Sequence, residues 1–261
     1  MRNLPPVTKH LLFINLIIWL FDMTLRRHGI MLSDFLGLHY ITAGTFRFWQ
    51  PLTYMFMHSD FTHIFCNMFA VLMFGSALEQ EWGWRKFIIY YIVCGVGAAI
   101  VQESVWALRI HHLLASFPAD AVMQQYASQI VTIGASGAVF GILLAFGWLF
   151  PEVRMFILFI PIPIRARIFV IIYALIELLA GFSHIHGDNI AHFAHLGGML
   201  FGLILIFWWN RDKVTWWHKL TSHNKTWLGK KMFHNSETST RLDSSKDKDY
   251  SNYHYQSRID E

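Results

Sequence analysis

The sequence predicts an all-α membrane protein built from six transmembrane helices, and three observations carry that prediction. Hydrophobic residues make up 54% of the 261 residues and charged ones 15%, well below the roughly 25% charged of a soluble domain. Six apolar runs occupy residues 1–210, most of them near the length that crosses a bilayer. Polar side chains inside three of those runs gather at one depth near one mouth: His63, Asn67, Ser136 and His195.

The runs are Leu11–Leu25, Phe61–Leu78, Phe87–Leu108, Val131–Phe150, Ile168–Phe182 and Ile190–Trp209. Several fall short of the ~20 residues an isolated membrane helix wants, so local thinning or burial among neighbours is expected. The first run holds Asn15 and Asp22 and has no small-residue cleavage site near its end; it reads as a retained helix and not as a signal peptide. Between the first two runs, residues 26–60 form a long external loop carrying Phe46, Phe48 and Trp49, expected to embed in the membrane interface. Residues 109–130 form a second external loop with room for a short helix. The stretch Met155–Ile164 is apolar but short, and contains Pro161 and Pro163 before Arg165 and Arg167; an interfacial loop is expected there instead of a seventh span. Residues 211–261 turn polar and rich in Ser, Asp, Lys and Asn, which predicts a disordered cytoplasmic tail beside a domain of residues 1–210.

Charge sets the orientation. Arg2, Lys9, Arg85, Lys86, Arg154, Arg165, Arg167, Arg211, Lys213 and Lys219 flank the runs on one side, against Arg26, Arg27, Arg47 and Arg109 on the other. Six spans put both termini on one side, and the bias makes it cytoplasmic. The net charge of +4 restates this asymmetry and requires no nucleic acid. Cys66 and Cys94 fall inside runs, where they act as small apolar residues.

Helix arithmetic then collects the chemistry. The second, fourth and sixth runs all enter from outside. Ser136 lies four residues past Thr132 and His195 five past Ile190, so at ~1.5 Å per residue both sit roughly 6–8 Å below their helix starts. His63 and Asn67, four apart, share one helix face, with His58 just ahead. Hydroxyl and ionisable groups at this depth are functional candidates by default. Gly137 and Gly141, and Gly198 and Gly202, give small-xxx-small faces on the fourth and sixth runs that let the two backbones approach. A neutral His195 could then take the Ser136 proton while the oxygen attacks a peptide carbonyl. The Asn67 amide, the His63 ring and the Ser136 backbone N–H are the donors available to the oxyanion, each typically worth ~3–4 kcal/mol in a dry site. No acid is expected at the same depth on another run, which points to a Ser–His dyad, with Phe140 one turn below Ser136 placed to stack on the imidazole.

These motifs resemble those of the rhomboid intramembrane serine proteases: GASG (134–137) at the head of a fourth span, HxxxxHxxxN (His58, His63, Asn67) opening a second, and AHLGG (194–198) in a sixth. FRFWQPLTYMFMH ahead of the second span and Glu79 at its inner end are similar too, and the likeness covers about residues 46–209. It implies a six-helix bundle, Ser136 as nucleophile, His195 as general base, and an oxyanion hole of His63, Asn67 and the Ser136 amide. His58, Phe140, Gly134, Gly137 and Gly198 take supporting places. It further implies a serine endopeptidase that cleaves membrane-spanning proteins among lipids, with no cofactor or metal; the short loops and compact six-span form point to a bacterial inner membrane, with organellar and secretory-pathway membranes as the alternatives. The sequence departs from the pattern at Gln50, where Arg commonly follows Trp49, at Phe140, where Tyr often stacks, and in the longer loop at 109–130.

Other polar residues have plainer expectations. His192 is expected to be solvated at the interface, as are His184 and His186. Glu177, mid-run, reads either as a hydrogen bond to a neighbouring helix or protonated acid, or as the edge of a substrate gate. Glu79 reads as a cap or hydrogen-bond partner at an inner helix junction. Two other function classes compete. A catalytically silent rhomboid-like protein that binds or remodels membrane clients would usually lack the Ser or the His. A divalent-metal transporter would place ligands at the midplane, whereas these histidines crowd one mouth.

Overall fold

A computed structural model describes residues 4–116, 130–157, 160–182 and 191–210, with residues 112–116, 156, 157 and 160–162 described by backbone alone. The rest of the loop at 109–130, the loop holding His184 and His186, and the tail at 211–261 lie outside the described residues.

The chain is mostly helical. α1 (Pro6–Arg26) starts on a proline, whose fixed φ suits a first helical turn. Its orphan amides are met from another helix: Glu79 accepts from the Val7 amide at 2.8 Å, the Thr8 amide at 2.7 Å and the Thr8 hydroxyl at 2.8 Å. Glu79 is therefore a cap, as its place in the sequence implied. It sits near the end of α4 (Phe61–Trp82), which contains a π-helical turn at Val71–Gly75 and stops at Gly83 with φ +80°. α4 begins where Asp60 accepts the His63 amide at 2.9 Å, an N-cap bond. Hydrogen bonds from the Ser59 hydroxyl and that amide hold the Asp60 carboxyl below the usual carboxylate range.

Two short helices, α2 (Ser33–Leu36) and α3 (Gln50–Thr53), lie in the segment before α4. Gln50 organises it from within. Fully buried, its carbonyl accepts from the Arg47 amide at 3.0 Å and the His39 amide at 3.3 Å, while its NH2 donates to the Thr45 carbonyl at 3.1 Å. An amide can both donate and accept, so here it ties the loop together where the family pattern has Arg. β1 (Leu38–His39) pairs antiparallel with β2 (Val131–Thr132), joining this segment to the chain that enters the helix beginning at Ser136.

α5 (Trp84–Ser116) runs eight residues beyond Leu108, the end expected for the third span. Nothing in ALRIHHLLAS breaks a helix, and the first proline is Pro118. α6 (Ser136–Leu149) is shorter than expected, because Val131 and Thr132 are strand and the helix begins at Ser136 itself. It is apolar all round and buried along most of its length, as such a helix must be in a multi-helix protein. The stretch at 155–164 forms a two-stranded hairpin, β3 (Arg154–Ile157) with β4 (Ile160–Arg165), and is no membrane helix. Arg165 and Arg167 pair with Glu152 at its base, at 3.3 and 3.1 Å. α7 (Ala166–Phe182) and α8 (His192–Asn210) complete the described residues.

By length and composition, four described helices suffice to cross a membrane: Pro6–Arg26, Phe61–Trp82, Trp84–His111 and His192–Asn210. Their outward apolar side chains, such as Phe13, Phe65, Ile100 and Leu200, are exposed, an arrangement stable only where lipid covers them. Tyrosines tie the interior: Tyr90 donates to the Gly141 carbonyl at 2.9 Å and Tyr54 to the Gly95 carbonyl at 2.7 Å.

Candidate active site

At ~1.5 Å per residue a 14-residue helix is ~21 Å long, less than the ~30 Å of bilayer hydrocarbon. α6 is thus shorter than the hydrocarbon thickness, and Ser136 stands at its N-terminal end. The first amides of a helix lack internal partners and carry a partial positive charge. Ser136 thus sits among donors suited to a developing anion, a feature absent from the reading that placed it one turn inside the helix.

Three glycines set the approach. Gly134 has φ +129°, a backbone region L side chains rarely adopt. A methyl there would lie 2.7 Å from His63 Nε2 and 3.6 Å from Ser136 Oγ, so both groups face the same small space. The Gly134 amide donates to the Tyr54 carbonyl at 2.9 Å, which fixes the turn. A methyl on Gly198 would run into the Gly137 carbonyl oxygen, so α6 and α8 meet backbone to backbone. Gly137 faces Ala98 on its other side.

That contact brings the hydroxyl to the imidazole. Ser136 Oγ and His195 Nε2 are 2.8 Å apart, and His195 is 7% exposed. Phe140 lies flat against the imidazole, with ring centroids 4.3 Å apart and planes 8° from parallel. The stack holds the ring plane while leaving both nitrogens at its edge.

The second, His-bearing face comes from α4. Asn67 is buried and donates to the His63 carbonyl at 3.0 Å. His63 Nδ1 lies 3.1 Å from the Ser59 hydroxyl, leaving Nε2 toward Gly134. His58 packs edge-on against His63, with centroids 4.9 Å apart. Burial, then the neighbouring His63, pushes the His58 pKa down to about 3. His58 is therefore a neutral packing neighbour across the ordinary pH range. Ser59, Asp60 and Tyr54 escaped the sequence analysis; Asp60 was findable as an N-cap residue three before His63.

Two expectations are corrected. An acid does lie at the depth of His195: Glu177 Oε2 on α7 is 2.9 Å from His195 Nδ1. His192 is not simply solvated, because its Nδ1 is 2.7 Å from the same Glu177 oxygen. The signal was in the sequence. Glu177 stands five residues from Phe182, the outer end of its run, or ~7.5 Å down at ~1.5 Å per residue. That is the depth expected for Ser136 and His195, so the outer end of the run, and not its middle, is the place that matters for Glu177. Glu177, His192 and His195 present ligand atoms within 4.8 Å of one another, the one such cluster among the described residues. A divalent metal could use that donor set, but its short contacts already pair as hydrogen bonds.

The fold and this site define a class: a multi-helix integral membrane protein with a half-buried serine hydroxyl against a buried imidazole where two of its helices meet. A Rhomboid domain model matches residues 45–211, more than half of the chain, and the chain belongs to the rhomboid family. It is similar to YdcA of Bacillus subtilis, assigned by name to the rhomboid proteases, at 26% identity over 78% of this chain and 89% of that one. It is similar to the mitochondrial Rhomboid protein 1 of Saccharomyces cerevisiae at 28% identity over 57% of this chain and 38% of that one. Rhomboid-like protease 3 of Toxoplasma gondii is 26% identical over 68% of this chain and 58% of that one. The chain thus spans well under half the length of the yeast relative.

Proposed function

We propose that this protein is an intramembrane serine endopeptidase. The observation that carries the reading is the 2.8 Å contact between Ser136 Oγ and His195 Nε2, made at the N-terminal end of an apolar helix. His195 Nε2 takes the Ser136 proton as Oγ bonds to a substrate peptide carbon, and the carbonyl electron pair moves onto oxygen. That oxyanion faces the Ser136 amide, His63 and Asn67. Collapse breaks the C–N bond, the amine leaves with the proton held on Nε2, and water then hydrolyses the acyl-serine by the same route. The reaction enlists no cofactor or metal. Gly134, Gly137 and Gly198 hold the distances, Phe140 the ring plane, and His58 the packing behind His63.

On this reading α1, α4, α5, α6, α7 and α8 are six spans, and residues 26–60 lie in the external interface. Residues 1–210 form the protease domain and 211–261 a cytoplasmic tail, with both termini cytoplasmic and the protein in a bacterial inner membrane. Substrates are single-span membrane proteins reaching the site through lipid. A client-binding rhomboid-like protein without catalysis is the alternative, and the intact Ser–His contact argues against it.

Purified protein in proteoliposomes with a single-span reporter tests this. Ser136→Ala and His195→Ala are each expected to abolish cleavage, a loss of about 10³-fold or more, while the thermal midpoint holds. A fluorophosphonate that labels Ser136→Ala as well as wild type defeats the assignment. Asn67→Ala is expected to lower kcat by about 10-fold to 100-fold, less than a lone donor would cost, because two donors remain.

A further inference from the structure

The Ser136–His195 pair has a third member, and it is bound in an unusual way. Glu177 extends from α7, a helix that bears neither Ser136 nor His195, and places one oxygen, Oε2, against two imidazoles. All three side chains are largely buried, at 11%, 12% and 9% exposed for Glu177, His192 and His195. His192 and His195 are one helical step apart on α8, so their rings reach the same point from one face.

The tautomer follows from this contact. An ionised carboxylate only accepts hydrogen bonds. Nδ1 of His195 must therefore carry the proton that faces Oε2, and Nε2 is left with its lone pair toward the Ser136 hydroxyl 2.8 Å away. Stacking on Phe140 fixes the plane of the ring but is equally compatible with a 180° turn about Cβ–Cγ, which would exchange Nδ1 with Cδ2 and Nε2 with Cε1. The Ser136 hydroxyl can donate or accept, so it is the acceptor-only carboxylate that sets the ring orientation and decides which nitrogen carries the proton. His192, donating from its own Nδ1 at 2.7 Å, pins the acceptor oxygen from a second direction.

We propose that Glu177, braced by His192, is a positioning residue that holds His195 in the tautomer and ring orientation able to accept the Ser136 proton. The inference rests on the reading of Ser136 and His195 as nucleophile and base. Glu177 touches no substrate and takes no proton. When Nε2 gains the serine proton, the resulting imidazolium keeps its Nδ1–H on Oε2, and the carboxylate balances the new positive charge where lipid and protein exclude water. The pair thereby becomes a Glu–His–Ser relay of orientation spread over α7, α8 and α6.

The test uses the full chain in proteoliposomes with the single-span reporter, comparing wild type, Glu177→Gln, Glu177→Asp, His192→Ala and Ser136→Ala. Glu177→Gln keeps the side-chain shape but offers an N–H to Nδ1, favouring the wrong tautomer. It is expected to lower kcat about 100-fold or more with KM unchanged, and Glu177→Asp to recover part of the loss. His192→Ala is expected to lower kcat less than Glu177→Gln does. A Glu177→Gln protein with wild-type kcat overturns the proposal, as does a raised KM at unchanged kcat, the mark of a substrate gate. Nitrogen-15 NMR of histidine-labelled wild type gives a readout that needs no Glu177 variant to fold. The His195 signal, identified by its loss in His195→Ala, is expected to show a protonated Nδ1 and a bare Nε2; the reverse assignment overturns the proposal. Cleavage that persists in Ser136→Ala strikes the parent reading instead, whatever Glu177→Gln does.

Discussion

Two buried glutamates sit on apolar helices of this protein, and their surroundings differ in one instructive way. Glu79 spends both oxygens on three donors that belong to a helix end: the amides of Val7 and Thr8 and the Thr8 hydroxyl. Those protons never leave their atoms, so the contact closes α1 and does nothing else. Glu177 gives one oxygen to two imidazole nitrogens, and the nearer ring to the serine can change its proton count. The same residue type, buried in both places, meets backbone and hydroxyl donors at one site and two imidazoles at the other. A buried acid is classified by what donates to it.

The contrast can be broken from its structural side. Gly198→Val, which drives a branched side chain into the Gly137 carbonyl, removes the approach that lets Ser136 meet His195. Overpacking of this kind costs about 1–3 kcal/mol or more. Cleavage is expected to vanish along with a fall in the thermal midpoint, and an active Gly198→Val protein would mean that the helices need no backbone contact. Glu79→Gln comes next in size. An amide oxygen can replace only part of what the carboxylate accepts, so a loss of about 1–3 kcal/mol is expected in denaturant unfolding, with kcat of the surviving folded protein unchanged. A kcat loss matching that of Glu177→Gln would erase the distinction between the two acids.

At neutral pH the smallest effect concerns a titrating group outside both. His58 has its folded pKa near 3 against 6.5 in the unfolded chain, so folding disfavours its proton. Its contribution to stability is whole above pH 6.5 and is lost as pH falls from 6.5 toward 3, by up to about 1.4 kcal/mol per pH unit. His58→Gln is expected to flatten the decline of the thermal midpoint between pH 6.5 and 4. An identical decline in wild type and His58→Gln would show that His58 is not held neutral.

Much of the fold was legible because lipid imposes simple rules. Apolar runs marked the helices, and Pro161 and Pro163 marked the stretch that is not one. The ends were harder: α5 overran Leu108 and α6 started only at Ser136, since a β-bridge and a helix turn read alike in a short apolar stretch. Gln50 looked like a missing anchor and is the centre of its loop, because an amide reaches several backbone groups once the chain has folded around it.

By itself the sequence determined that this chain lives in a membrane, that a serine and an imidazole share a depth, and that glycines permit their helices to close. Depth follows from counting residues, and close approach from the absence of a side chain. Which faces turn toward each other is a matter of rotation about the helix axes, and counting along the chain does not contain it. Packing alone decided that the α7 carboxylate meets the far nitrogen of the α8 imidazole, and so which nitrogen is left to face the serine.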